Sequence, residues 1–164
     1  MADDRKDRRV ARLLNKLPKK PNVYPHTIAS QPGVLQADIT YTSSFGKKTG
    51  GYGFILCVID IYSRFLWTLP MKSITKAKSE EFINEVIEEI HSNPHWKIPY
   101  TLITLTTDQG VEFSDLDLPD GVQHFFIPPE YGKGRTAVVE RVNRTVQERL
   151  RDEVLDHTST AGSN

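Results

Sequence analysis

Residues 34–42 alternate in character. Leu35, Ala37, Ile39 and Tyr41 fall on one side and Gln36, Asp38, Thr40 and Thr42 on the other, which predicts a strand carrying Asp38 on a polar face. Residues 46–51 read as a glycine-bearing loop. Residues 52–61 (YGFILCVIDI) are then almost continuously apolar, the pattern of a central strand covered on both faces. A turn near Tyr62-Ser63 leads into residues 64–69, the third strand of a hairpin-like meander. Residues 75–91 change period. Ala77, Phe82, Ile83, Val86, Ile87 and Ile90 recur at helical spacing while Glu80, Glu81, Glu85, Glu88 and Glu89 fall elsewhere, an amphipathic helix ended by Asn93-Pro94.

Residues 101–107 (TLITLTT) are strand-like by β-branched content and end at Asp108-Gln109-Gly110, while residues 122–127 form a second short strand closed by Pro128-Pro129. The intervening residues 114–121 (SDLDLPDG) make a poor helix. The loop Tyr131-Gly132-Lys133-Gly134-Arg135 opens a last helix over about residues 136–154. There Val138, Val139, Val142, Val146 and Leu150 form one stripe and Glu140, Arg144, Gln147 and Arg151 lie roughly opposite. Three meandering strands, a helix, a strand, a short connection, a strand and a helix predict an α/β domain. One mixed five-stranded sheet with flanking helices buries these faces economically.

That domain should span residues 34–155. Ahead of it, residues 3–17 have helical spacing at Val10, Leu13, Leu14 and Leu17, and Pro18, Pro21, Pro25 and Pro32 impose an extended linker, so residues 1–33 are expected to be an arm. A polar tail over residues 156–164 is expected to lack order. With 21 basic and 21 acidic residues the total charge is uninformative, but residues 1–20 hold eight Lys/Arg against three Asp. A basic arm on an acidic body suits contact with a phosphate backbone, and equally suits a solvated leader. Cys57 is the only cysteine, which excludes an internal disulfide and any multi-cysteine zinc site. No stretch approaches the length of a membrane helix and the charged N-terminus lacks a signal-peptide core, so a soluble, intracellular protein is expected.

Three acids stand out because each sits on a different rigid element: Asp38 in mid-strand, Asp108 at a strand end, Glu140 early in a helix. Hard divalent cations take such oxygen ligands together with water and phosphate oxygens, and two of them can stabilise both the attacking and leaving oxygens of an in-line phosphoryl displacement. Taken singly, Asp38 suits an exposed strand face, Asp108 a turn, and Glu140 a helix N-terminus. Neither Glu112, beside Asp108, nor Asp60, at a strand end, is expected to be a ligand; Asp60 should cap its turn. The five histidines carry no metal-ligand spacing that would share a helix face, and Trp67 and Trp96 suit packing.

The local sequences around the acids resemble the integrase catalytic core shared by retroviruses, long-terminal-repeat retrotransposons and Polinton/Maverick elements. Leu35-Gln36-Ala37-Asp38-Ile39 is similar to the family's aromatic-Gln-x-Asp strand, with Leu35 replacing the aromatic residue, and Val58-Ile59-Asp60-Ile61-Tyr62-Ser63-Arg64-Phe65 to its second hairpin. Thr107-Asp108-Gln109-Gly110-Val111-Glu112-Phe113 and Val139-Glu140-Arg141-Val142-Asn143-Arg144-Thr145 resemble its remaining two motifs. Lys19-Lys20-Pro21 and Pro32-Gly33 resemble the Polinton-type and virophage-like members most. In two respects the chain departs from the pattern. Only 31 residues separate Asp108 from Glu140, and residues 114–121 replace a helix, which leaves Glu148 as a rival third acid.

The resemblance implies a ribonuclease-H-like fold and two Mg²⁺ (or Mn²⁺) ions on Asp38, Asp108 and Glu140. It implies DNA 3′-end processing followed by strand transfer into a target. Asn143, Arg144 and Gln147 are then expected to contact the DNA end, and Lys133 and Arg135 the backbone of donor or target. Double-stranded DNA and further copies of the chain are the expected partners, in the nucleus or wherever element DNA replicates. The rivals are a nuclease on the same fold, which should carry additional acids, and a non-catalytic DNA-binding or dimerisation module, which would have no need for all three.

Overall fold

The computed structural model describes residues 29–42, 50–127 and 137–160, with side chains in the last helix described for residues 138–153. The expected helix at residues 3–17, the proline linker as far as residue 28, Lys133 and Arg135 lie outside the described residues.

Five strands form one sheet: β1 (Val34–Tyr41), β2 (Phe54–Asp60), β3 (Leu66–Met71), β4 (Thr104–Thr107) and β5 (Gln123–Phe126), in the order β3-β2-β1-β4-β5. The meander β1-β2-β3 pairs antiparallel, whereas β4 joins β1, and β5 joins β4, in parallel. Parallel partners need long crossovers. The first is supplied by α1 (Lys76–Ser92), started by the Thr75 side chain accepting from Lys78 N and ended at Asn93. Pro70 sits in β3, at the sheet edge where a missing N–H is tolerated.

Each face of the sheet has its own core. On one, Leu35, Ala37, Ile39, Leu56, Val58 and Leu105 pack against Ile83, Val86, Ile87 and Ile90 of α1. On the other, Ile55, Cys57 and Ile59 meet the valine stripe of α2 (Ala137–Thr160) through Val138, Val139, Val142 and Val146. This explains why β2 is apolar up to its closing Asp60: six of its seven residues, Ile55–Asp60, are buried. Trp67 and Trp96 pack edge to face at 6.4 Å, as packing residues should.

Several expectations need correction. Tyr41, placed with the apolar side of β1, is 61% exposed: it is the last residue of the strand, and its ring meets Phe54 edge to face at 5.4 Å. Residues 101–103 are not strand: Tyr100–Leu102 form a 3-10 turn, and β4 starts only where its backbone meets β1. The reading of residues 114–121 as a poor helix, by contrast, holds: no α-helix forms there, and the shortened connection holds a 3-10 turn at Val111–Phe113 whose Phe113 is fully buried. Finally, α2 continues to Thr160 through much of the expected tail, since no glycine or proline interrupts it before Gly162.

Candidate active site

The register of the central strands brings the first two acids together. Gln36 pairs with Thr106 across β1 and β4, and Asp38 and Asp108 each stand two residues further along the same direction, near enough for the charge of Asp108 to act on Asp38. Side chains alternate along parallel strands, so the two carboxylates emerge on one face of the sheet from strands about 5 Å apart. That face is the one α2 covers.

Helix α2 is seated by its buried Val139, and Gln36 fixes its first turn: the fully buried amide Oε1 accepts from Val139 N at 3.3 Å. An orphan N–H of the helix start is thereby satisfied by the strand beneath it. Glu140, Asn143 and Gln147 follow at helical spacing and run along the C-terminal half of β1. Asn143 Nδ2 donates to Asp38 Oδ2 at 2.7 Å, and Gln147 Nε2 donates to Thr40 Oγ1 at 2.7 Å and to the Tyr41 carbonyl at 3.1 Å. Asp38, Thr40, Glu140, Asn143, Arg144 and Gln147 thus line one groove of about 260 Å³. Glu148, the rival third acid, is exposed and is not part of it.

The electrostatics centre on Asp38. Burial pushes its pKa up to about 6, and the negative charges of Asp108 and Glu140 push the same way, against hydrogen bonds from Ile39 N and Asn143. Underneath, burial and the charge of Asp38 push the Cys57 thiol up to about 12, so it stays protonated. Asp108 is exposed, and its Oδ1 accepts from Gly110 N at 3.0 Å. The Glu112 carboxyl lies over the same turn, 2.7 Å from where a Cβ at Gly110 would stand.

The donor set fits a hard dication in kind. All three groups are carboxylates, and the proton affinity that Asp38 gains from its acidic neighbours is what a bound cation would relieve. Among the described residues no three His, Cys, Asp or Glu side chains gather closely enough to enclose a metal ion. Mg²⁺ in general is bound by one or two carboxylates and completes its shell with water and phosphate oxygens.

The residues expected at the DNA divide. Arg144 is exposed at the groove, Asn143 is buried with its Nδ2 given to Asp38, and Gln147 gives its amide to β1. The role of Gln36 was missed, although it stands in the strand motif. The signal was a polar residue one step inside the acid on a strand whose other neighbours are apolar. Asp60 does cap its turn, accepting from Ser63 N at 2.7 Å, and also ties down the chain entering β1 by accepting from Gly33 N at 2.7 Å.

No protein-family model matches the chain. Over 110 residues, 66% of its length, it is 32% identical to an uncharacterized transposon-derived protein of Caenorhabditis elegans, of which it spans 36%. Among solved structures it resembles a chain of the simian T-cell lymphotropic virus intasome in complex with the PP2A regulatory subunit B56 gamma. The TM-score is 0.61 at 17% identity, over 80% of this chain and 44% of that one. The fold is therefore the ribonuclease-H-like α/β fold, and the two likenesses together support an integrase- or transposase-like relationship for this chain.

Proposed function

We propose that this chain is the catalytic core of a DNA integrase or transposase, which trims the 3′ end of element DNA and joins it to a target strand. The observation that carries the reading is that the charges of Asp108, at the end of the strand paired with β1, and of Glu140, on the helix above, both act on Asp38. Asp38, Asp108 and Glu140 would hold two Mg²⁺ or Mn²⁺ ions, which when bound supply Lewis acidity to the phosphodiester and lower the pKa of an attacking water. Asn143 orients Asp38, and Gln36 and Gln147 keep α2 against β1 so that Glu140 stays over the groove. Arg144, exposed at the groove, is the residue positioned to meet a DNA phosphate.

Lys133 and Arg135 are proposed as further backbone contacts on sequence grounds. The nearest kinship within the family, to Polinton/Maverick or virophage-like members, is proposed on Lys19-Lys20-Pro21 and Pro32-Gly33. Double-stranded DNA and further copies of the chain are the proposed partners, and the host nucleus or the site of element DNA replication the proposed compartment. The transposon-derived sequence relative supports the first of these.

The test is a branched DNA mimicking the strand-transfer product, incubated with Mg²⁺, Mn²⁺ or EDTA. Wild type should resolve it in a metal-dependent manner, while Asp108→Asn and Glu140→Gln should lose most of that rate, because catalysis of this kind depends on the ligands that hold the metals. Activity that survives Glu140→Gln but not Glu148→Gln would move the third acid along α2. Absence of both resolution and calorimetric metal binding would replace the enzyme with a binding module.

A further inference from the structure

Thr107 is the last residue of β4 and is fully buried, immediately before Asp108. Its hydroxyl bridges two groups: Oγ1 donates to the Asp108 carbonyl at 2.8 Å and lies 2.9 Å from His124 Nε2 on β5. A threonine hydroxyl has a single proton. With that proton on the Asp108 carbonyl, His124 must donate, so the ring carries its hydrogen on Nε2. Burial lowers the pKa of His124, which keeps the neutral ring, with its one N–H, the prevailing form near neutral pH. The ring is held in turn against Phe126 at 4.3 Å. On the far side of the same residue, Asp108 Oδ1 accepts from Gly110 N.

We infer that His124 and Thr107 form a tether that fixes the peptide of Asp108, making His124 a positioning residue for the metal-binding carboxylate although it touches neither metal nor DNA. The need for it follows from the topology. Beyond Thr107 strand β4 ends and Asp108 enters a turn, so the ladder that aligns it with Asp38 no longer restrains it. A hydrogen bond delivered from β5, through a hydroxyl that β4 itself holds, restores the restraint at that residue. Groups that orient metal ligands from behind are worth about 10- to 100-fold in metal affinity or activity.

The functional half of this inference rests on the integrase reading, and the experiment separates the two. In the full chain, Thr107→Val and His124→Leu remove the tether, while Thr107→Ser keeps the hydroxyl and His124→Gln offers an amide donor in its place. Folding of each is checked by circular dichroism. The Asp108 carbonyl ¹³C resonance should move in Thr107→Val and in His124→Leu, with that of Leu105 unchanged. Mn²⁺ affinity and turnover on branched DNA should fall about tenfold with KM for the DNA within about twofold, and Thr107→Ser and His124→Gln should recover most of the loss. An unmoved Asp108 carbonyl in Thr107→Val would overturn the tether, and wild-type Mn²⁺ affinity in folded His124→Leu would overturn its role in positioning. Should the wild-type chain neither bind Mn²⁺ nor resolve DNA, the integrase reading fails while the carbonyl shift still decides whether Asp108 is tethered.

Discussion

A carboxylate whose proton affinity rises on folding stabilises the fold while protonated and opposes it once ionised. Asp38 rises from an ordinary value near 3.8 to about 6, so its contribution is full below about pH 4 and is lost as pH climbs through 6. The metal-free protein should therefore lose about 1–2 kcal/mol over that window, less than the ~3 kcal/mol of a two-unit shift because the carboxylate is only partly buried and solvent screens it. Urea denaturation between pH 4.5 and 7.5 should show this slope in wild type and its disappearance in Asp38→Asn. Added Mn²⁺ should raise the melting temperature of wild type above pH 7 and leave the variant unmoved. Asp60 is the contrasting carboxylate: fully buried, with both oxygens accepting backbone amides, those of Gly33 and Ser63. Asp60→Ala strands two donors and should lower stability by about 3–4 kcal/mol in the same assay, with Asp60→Asn in between because its amide offers one acceptor oxygen.

Among the elements, α2 decides whether the acids form a site. Its seat combines an apolar stripe with a buried hydrogen bond that Val139 N, next to Glu140 in the chain, donates to Gln36 Oε1. Gln36→Leu should cost about 1–2 kcal/mol, speed hydrogen exchange at the Val139 amide, and reduce metal affinity more than a distant core change of equal cost. The valine stripe and the acids were readable as periodicity and spacing, and so were all five strands and both described helices. The partners of the polar residues were not. Alternation marks Gln36, Asp38 and Thr40 as one polar face, yet the same pattern serves a solvated face and a face met by a helix with polar residues of its own. Which of the two it is depends on pairing β1 with a segment 105 residues downstream, as in Asn143 donating to Asp38. The 3-10 turns at Tyr100–Leu102 and Val111–Phe113 escaped for a related reason: β-branched content does not show where a neighbouring strand begins.

At the scale of the whole molecule, two cores share one sheet and do different work. The α1 side holds the larger cluster, and α1 itself contributes no residue to the groove; the α2 side is thinner and carries Glu140. Ile87→Ala should thus lower stability by about 2–5 kcal/mol with metal affinity intact, whereas Val139→Ala, removing less volume, should lower stability by about 1–2 kcal/mol yet weaken Mn²⁺ binding measurably. Calorimetry paired with urea melts on both variants reads this dissociation directly. The strand order also sets a timetable. β1 finds β2 and β3 through short connections, but the β1–β4 pairing joins Val34 to Thr104 across 70 residues and must wait for α1. As the chain leaves the ribosome, a three-stranded hairpin sheet can form with Asp38 on its open edge, long before Asp108 has been synthesised. The acid pair is then among the last features to assemble, so in a nascent or partly refolded chain Asp38 stands without its acidic neighbour until the fold is closed.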